Sequence, residues 1–385
     1  MKGKKRILID ASSVGLNTDG VTTYIVNLIK HLPQKSFDDF EYWILINPGV
    51  VNQDINKIKQ SGRFKFIEYR IPPIGPKRDW AMFLFFRKYK SKFDLVHMTT
   101  NIYPLFFKGG ICTIHDLIFR SYFDGSFFYA KLAQFYIDKV VKRCLTKAKY
   151  IIAVSNFTKN DIIKQYNLDD DQKKIEVIHE GWEHIIADDG ESVSLEEKMD
   201  YTYFFYLGTL RKHKNIHNLL AAFNIACKKI PANVKLAISG NTKHMNIENL
   251  KIVNEINNNG QRVIFTGYLS DTELRDYYKN AIALIYPSLA EGFGLPVLEA
   301  FYNNCPLLCS NTSSLPEIAG DAALYFEPLD QQDMASAMVK FYDSPKLAAG
   351  MKEKGKERLK MFSWIDAAEQ TVALYYKYFN TKPHS

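Results

Sequence analysis

No stretch of about eighteen consecutive apolar residues occurs in this 385-residue chain, so an ordinary membrane-crossing helix is not expected. The opening Met1-Lys-Gly-Lys-Lys-Arg6 is charged like the start of a secretory leader. Only Ile7-Leu-Ile9 follow before Asp10, too few for a leader's apolar core, and a cytoplasmic chain is expected. Cysteine is scarce. Cys112, Cys144 and Cys227 stand alone in apolar surroundings, while Cys305 and Cys309 flank Pro306-Leu-Leu308. With no C-x-x-C and no Cys/His cluster, a zinc module or a redox dithiol is excluded, and buried, reduced thiols are expected. The nine histidines show no ligand spacing either. There is no G-x-G-x-x-G, which removes the main support for a dinucleotide-dependent dehydrogenase. Basic repeats, zinc fingers and RNA-binding signatures are also missing, so nucleic acid is not an expected partner.

What is present starts with size. A chain of 385 residues exceeds what one hydrophobic core usually supports, and two domains are the default. Charge is uneven between the halves: residues 1–180 hold 29 Lys and Arg against 18 Asp and Glu, residues 181–385 hold 21 against 24. A basic first half points to an acidic partner, and an anionic membrane surface fits better than nucleic acid. The segment Lys77-Arg-Asp-Trp-Ala-Met-Phe-Leu-Phe-Phe-Arg-Lys-Tyr-Lys90 mixes aromatics with cations and is the candidate for reversible contact with such a surface.

Short apolar runs alternate with helical patterns along the whole chain. Strands are expected at 6–10, 42–46, 64–67, 94–97, 111–115, 150–154 and 175–178, with a helix over 21–32 after a loop holding Gly15 and Gly20. The polar, acidic stretch from Asp188 to Asp200 reads as a linker. A second series follows, with strands at 203–207, 234–239, 262–266, 283–286 and 306–310 and helices over 216–229 and 295–302. This is the α/β pattern of two doubly wound, Rossmann-like domains. The boundaries read as 1–180 for the first domain and 181–363 for the second. The amphipathic segment 364–385 is expected to pack back onto the first. Ligands of open α/β sheets bind outside the carboxyl ends of the strands, where Gly20, Gly208, Gly240, Gly267, Gly292 and Gly294 fall.

The strongest local feature is Ser288-Leu-Ala-Glu-Gly-Phe-Gly-Leu-Pro-Val-Leu-Glu-Ala300. Its two carboxylates, Glu291 and Glu299, have seven residues between them. Pro296 suits a first helical turn, and Gly292 and Gly294 let the backbone approach a ligand. The N–H groups of the following helix then face the loop, an anion site fit for a diphosphate. Carboxylates on either side of it can hold hydroxyl groups through charge-assisted bonds.

This segment resembles the E-x7-E signature of the retaining glycosyltransferase family 4, whose members have the GT-B fold, and the resemblance covers nearly the whole chain. Asp19-Gly-Val-Thr-Thr-Tyr24 resembles the family's N-terminal glycine loop. Thr113-Ile-His-Asp-Leu117 is similar to its histidine segment, and Val154-Ser-Asn-Phe-Thr158 to its S-x-F strand end. Gly208-Thr-Leu-Arg-Lys-His-Lys-Asn215 resembles its phosphate loop; Ser313-Ser-Leu-Pro-Glu-Ile318 and Ala323-Leu-Tyr-Phe326 resemble its closing elements. The resemblance implies that Glu299 binds the ribose and that Glu291 holds donor-sugar hydroxyls at the reacting carbon. Gly292, Phe293, Gly294 and Leu295 would line sugar and phosphate, Lys214 would neutralise the diphosphate, and Gly20 and His115 would face the donor from the first domain. The base would lie at the turn of Tyr268 and Leu269.

Three departures stand out. His213 occupies the place of the family's arginine, with Arg211 nearby as a substitute guanidinium, Thr22 stands in place of a second glycine in the N-terminal loop, and His179-Glu-Gly181 replaces the usual Asn-Gly. The implied reaction is metal-independent transfer of a hexosyl group, mannose in many bacterial members. The donor would be a GDP- or UDP-linked sugar and the acceptor a glycan or lipid-linked acceptor of a surface polysaccharide; no cofactor is implied. The D-x-D within Asp169-Asp-Asp171 reads as a solvated loop, not a metal motif. An epimerase or a sugar phosphorylase shares the architecture, and a non-catalytic nucleotide-sugar-binding protein is the third reading. The joint presence of Glu291, Glu299, Lys214 and His115 argues against the last.

Overall fold

The computed structural model describes residues 3–15, 19–122, 127–168, 174–185, 201–240, 245–258 and 260–381. Asp169-Asp-Asp171 and the acidic stretch from Asp188 to Asp200 lie outside the described residues. The chain divides into two units, one of residues 1–181 with 363–385 and the other of residues 182–362.

The first unit is built on strands β1 (Lys5–Asp10), β2 (Phe40–Ile46), β3 (Lys65–Glu68), β4 (Leu95–Met98), β5 (Ile111–Ile114), β6 (Tyr150–Ala153) and β7 (Ile175–Val177). They pair in the order β3-β2-β1-β4-β5-β6-β7, every pair parallel. Because both faces of such a sheet are covered, its strands are continuous apolar runs rather than alternating ones. Ile7, Leu8, Ile9, Ile111, Cys112 and Ile114 are all fully buried. The second unit repeats the plan with β8 (Thr202–Leu207), β9 (Val234–Ser239), β10 (Val263–Gly267), β11 (Ala283–Tyr286), β12 (Leu307–Ser310) and β13 (Ala323–Phe326), ordered β10-β9-β8-β11-β12-β13 and again parallel. In each sheet the order reverses direction once, between β1 and β4 and between β8 and β11. Those switch points are where open α/β sheets leave a crevice for ligands.

Element ends differ from the sequence reading where a local bond intervenes. The fourth strand starts at Leu95, because the Asp94 carboxylate turns aside to accept the Arg6 N–H at 2.8 Å. The helix expected to reach Lys229 stops at Ala226. Lys228 and Lys229 then bond three residues back, to Ile225 and Ala226, and so tighten the chain ahead of Pro231. Four cysteines are buried as expected, but Cys227, just past that helix end, is half-buried.

The helix Trp364–Asn380 belongs to the first unit. Trp364 and Tyr375 are fully buried there, and Lys377 bonds Glu176 at 2.6 Å. Tyr375 joins a buried polar chain: its hydroxyl meets His97 Nδ1 at 2.7 Å, His97 Nε2 meets Thr113 Oγ at 2.9 Å, and Thr113 meets the Tyr24 hydroxyl at 2.9 Å. Burial pushes the His97 pKa down to about 3, so this imidazole is neutral, with one nitrogen donating and the other accepting.

Candidate active site

In the second unit the loops after β8 and β11 meet at the switch point. The β8 loop passes through Gly208, which Gly240 approaches so closely that a Cβ on Gly240 would lie 2.2 Å from the Gly208 carbonyl. A short turn, Lys212–Lys214, leads to Asn215, whose left-handed backbone (φ 59°) suits an asparagine. The Asn215 amide donates to the Pro287 and Pro328 carbonyls at 3.0 and 2.7 Å, and Leu289 N–H donates to the His213 carbonyl at 2.7 Å. These bonds stitch the two loops together and bring Lys214 to Glu291.

Lys214 Nζ donates to Glu291 Oε1 at 2.6 Å, and the Tyr286 hydroxyl donates to the same oxygen at 2.7 Å. Burial alone would raise the Glu291 pKa, but Lys214 and the hydroxyl bonds more than offset it and hold the carboxyl below its ordinary value. Tyr286 shifts the other way: burial, then the Glu291 charge, keep its hydroxyl protonated as a donor. Glu291 is therefore a buried, ionised carboxylate held next to a cation.

The helix Leu295–Tyr302 opens immediately after this loop, with Pro296 in its first turn. Gly294 precedes it at φ 103°, and a Cβ there would come within 2.9 Å of the Leu315 side chain, so the position needs glycine. The Ser314 hydroxyl donates to the Glu291 and Phe293 carbonyls at 3.1 and 2.8 Å, and Glu291 N–H donates to Ser313 Oγ at 3.2 Å. Gly292, Phe293, Gly294 and Leu295 are thus a packed segment, with Phe293 set edge-on to Phe362. One turn into this helix, Glu299 Oε2 accepts the Tyr278 hydroxyl at 2.7 Å, and its Oε1 lies 3.4 Å from His184 Nε2.

The other residues expected at the donor site fall as follows. Tyr268 is 76% exposed and Leu269 half-buried, both in the turn at the carboxyl end of β10. The His213 ring is buried, whereas Arg211 is exposed at the start of its turn. In the first unit, Gly20 is not in the loop at the end of β1. It is the first residue of the helix Gly20–Lys30, where the Asp19 carboxylate caps the Thr22 N–H at 2.8 Å. An N-cap aspartate so near explains the displacement, since it lets the helix begin directly at the glycine.

His115 follows β5. Its Nε2 lies 2.9 Å from the Thr99 carbonyl, its Nδ1 lies 3.5 Å from Glu180 Oε1, and the Tyr24 ring stands nearly perpendicular to it at 4.7 Å. Its own carbonyl accepts the Thr158 hydroxyl at 3.2 Å, so Ser155 and Thr158 of the strand-end motif fix its backbone. Burial pulls the His115 pKa down, but Glu180 and the Thr99 carbonyl outweigh it and the net shift is upward.

Sequence reasoning did not single out Tyr286, Tyr278, His184 or Glu180. The tyrosines resemble core residues because their rings are core; only the hydroxyls reach the site. The signal for Glu180 was present, as the departure from Asn-Gly at His179-Glu-Gly181.

The pattern of the glycosyl transferases group 1 matches residues 188–358, and that of glycosyltransferase family 4 matches residues 18–183. The O-antigen chain mannosyltransferase B of Escherichia coli is 28% identical over 340 residues, 85% of this chain and 86% of that protein. The O-antigen chain mannosyltransferase RfbU of Salmonella typhimurium is 30% identical over 262 residues, 67% of each. Among solved structures, sucrose-phosphate synthase from Thermosynechococcus elongatus superposes with a TM-score of 0.74 at 18% identity, covering 98% of this chain and 99% of that one, which is a likeness of fold. With one family pattern on each unit, a paired Lys214 and Glu291 at the second sheet's switch point, and a relative 30% identical over two thirds of both lengths, the chain is a GT-B enzyme of glycosyltransferase family 4.

Proposed function

We propose that the protein transfers a mannosyl group, with retention at the anomeric carbon, from a GDP- or UDP-linked donor onto a lipid-linked glycan of a surface polysaccharide. The observation that carries the reading is the Lys214–Glu291 pair at the opening of the helix Leu295–Tyr302. The names of the two mannosyltransferase relatives support the sugar and the pathway class.

In this reading the donor's diphosphate takes Lys214 and the helix N-terminus, which stabilise charge on the departing phosphate without a divalent metal. As the anomeric C–O bond breaks, positive charge grows on the sugar ring. Glu291, released from part of its pairing with Lys214, gains importance there. The acceptor oxygen forms the new bond on the same face, and its proton passes to the departing phosphate. Glu299 holds the ribose, positioned by Tyr278 and His184. Arg211, Tyr268, Leu269 and the segment from Gly292 to Leu295 complete the second unit's part of the donor site, and Gly20 and His115 of the first unit are assigned to the donor on the resemblance alone.

The acceptor side is supported by the helix Pro76–Tyr89. Arg78, Asp79, Met82, Phe85 and Phe86 face inward, while Trp80, 60% exposed, stacks on Phe83, and Phe83 meets Phe106, 66% exposed. Lys77, Arg87, Lys88 and Lys108 are exposed around this aromatic cluster, which suits an anionic lipid surface. No described helix is long and apolar enough to cross a membrane. Incubating the purified protein with GDP- and UDP-linked mannose and glucose, with lipid-linked acceptor and with EDTA, tests the reading. Retained α-linked product from a mannosyl donor is expected; an inverted linkage or an absolute need for magnesium contradicts it.

A further inference from the structure

Glu180 is a carboxylate buried to 4% exposure, and a buried charge is costly unless a partner compensates it. His115 Nδ1 faces it at 3.5 Å. The other ring nitrogen, Nε2, lies 2.9 Å from the Thr99 carbonyl oxygen, which can only accept, so Nε2 carries a hydrogen. A neutral imidazole would then point its single lone pair, on Nδ1, at the Glu180 carboxylate. An imidazolium instead presents an N–H to each oxygen. With Glu180 ionised, both contacts are satisfied together only by the charged ring.

We propose that Glu180 is a positioning residue for the transfer reaction: it holds His115 as an imidazolium, oriented between Glu180 and Thr99, and in that state His115 is not a proton acceptor. The inference rests on the assignment of His115 to the donor sugar. The groups that face the ring from the surrounding elements are Glu180, Asp116 and the Thr99 carbonyl, which favour its charge, and His97, which is neutral and buried. Tyr24 closes a further side and cannot serve as a base, because burial raises its pKa far above the ordinary value. The pair carries no net charge, so it can lie beside a sugar on which positive charge develops without repelling it. Loss of the His115 proton would set a lone pair against the carboxylate and release the ring from its orientation. Transfer should therefore fail on the alkaline side as His115 deprotonates.

The test is an NMR titration of the full chain labelled at histidine, with the His115 resonance assigned by its loss in His115→Asn, alongside pH profiles of kcat/KM. In the wild type the His115 midpoint is expected above the free-imidazole value of about 6.5. In Glu180→Gln, where burial is left to dominate, it is expected to fall below that value, and the alkaline limb of kcat/KM should move down with it. Glu180→Asp, which keeps the charge, should restore part of both shifts. A wild-type midpoint at or below the free value overturns the proposal without any variant having to fold. A midpoint that moves in Glu180→Gln while the alkaline limb stays fixed also overturns it, leaving Glu180 a charge partner with no part in transfer. Absence of transfer from every donor would instead refute the proposed function, and the titration alone would still decide the pairing.

Discussion

Tyr278 donates its hydroxyl to Glu299 Oε2 across 2.7 Å, from a helix that precedes β11 to the helix that follows it. A carboxylate fixed from behind in this way has its orientation set before a nucleotide arrives. Glu299→Ala should weaken nucleoside diphosphate binding by about 1.5–3 kcal/mol, the cost of losing charge-assisted hydrogen bonds, and raise the donor KM more than it lowers kcat. Tyr278→Phe keeps the carboxylate and loses only its orienting bond, so about 1 kcal/mol is expected. Calorimetry with the bare nucleotide measures both.

Glu291 should behave differently, because the proposed reading sets it against the donor sugar rather than the nucleotide. Glu291→Ala is expected to leave nucleotide affinity nearly unchanged while kcat falls about 10²-fold or more, as for a group that acts mainly in the transition state. With Lys214 present the carboxyl pKa lies below its ordinary value, so the acid limb due to Glu291 lies low. In Lys214→Met burial is left to dominate, the pKa rises, and that limb should move to higher pH. Loss of nucleotide affinity in Glu291→Ala with retention in Glu299→Ala would reverse the two roles.

The His115 pairing has a stability signature that needs no substrate. Its folded-state pKa is raised, so the stabilisation is fully present below the unfolded value of about 6.5 and is lost as pH rises through the higher folded value. The Tm difference between the wild type and His115→Gln should shrink across that alkaline window. A difference that grows with pH there would mean the shift has the opposite sign.

A purely structural prediction concerns Arg78 and Asp10, both almost fully buried and 2.9 Å apart at the carboxyl end of β1. The same carboxylate also accepts the Ser12 N–H and hydroxyl. Arg78→Ala would leave this charge buried without its cation, at a cost of about 3–5 kcal/mol in urea denaturation. Replacing both, as Arg78→Met with Asp10→Asn, should cost less than the single change.

Membrane contact is expected to depend on the aromatic cluster and the cations together. Trp80→Ser with Phe106→Ser should reduce flotation with anionic vesicles while leaving soluble activity intact. Equal binding of the wild type to neutral and anionic vesicles would remove the electrostatic part of the proposal.

Much of the fold was readable because parallel, doubly covered strands are continuous apolar runs, and β9, β11 and the helix Leu295–Tyr302 fall at their expected bounds. The spacing of Glu291 and Glu299, with the glycines and Pro296, was readable for the same local reason: one loop and one helix contain it. The partners were not. His115 and Glu180 follow β5 and β7 and are 65 residues apart in sequence, Lys214 and Glu291 are 77 residues apart, and no periodicity encodes such approaches. His213 misled in another way, since a position read as an altered phosphate ligand turns its ring inward, and its carbonyl holds the neighbouring loop.

The helix Trp364–Asn380 has a consequence for biosynthesis. Residues 1–181 leave the ribosome first, yet His97 lacks its Tyr375 partner and Glu176 its Lys377 partner until the helix emerges. At synthesis rates of roughly 5–20 residues per second, the wait is on the order of ten to forty seconds. Throughout it the first sheet has an open face where Trp364 and Tyr375 will later lie. The nascent chain is therefore obliged to keep a half-finished domain from associating with its neighbours on the polysome, and the second unit, whose segments are contiguous, can fold completely before the first one does.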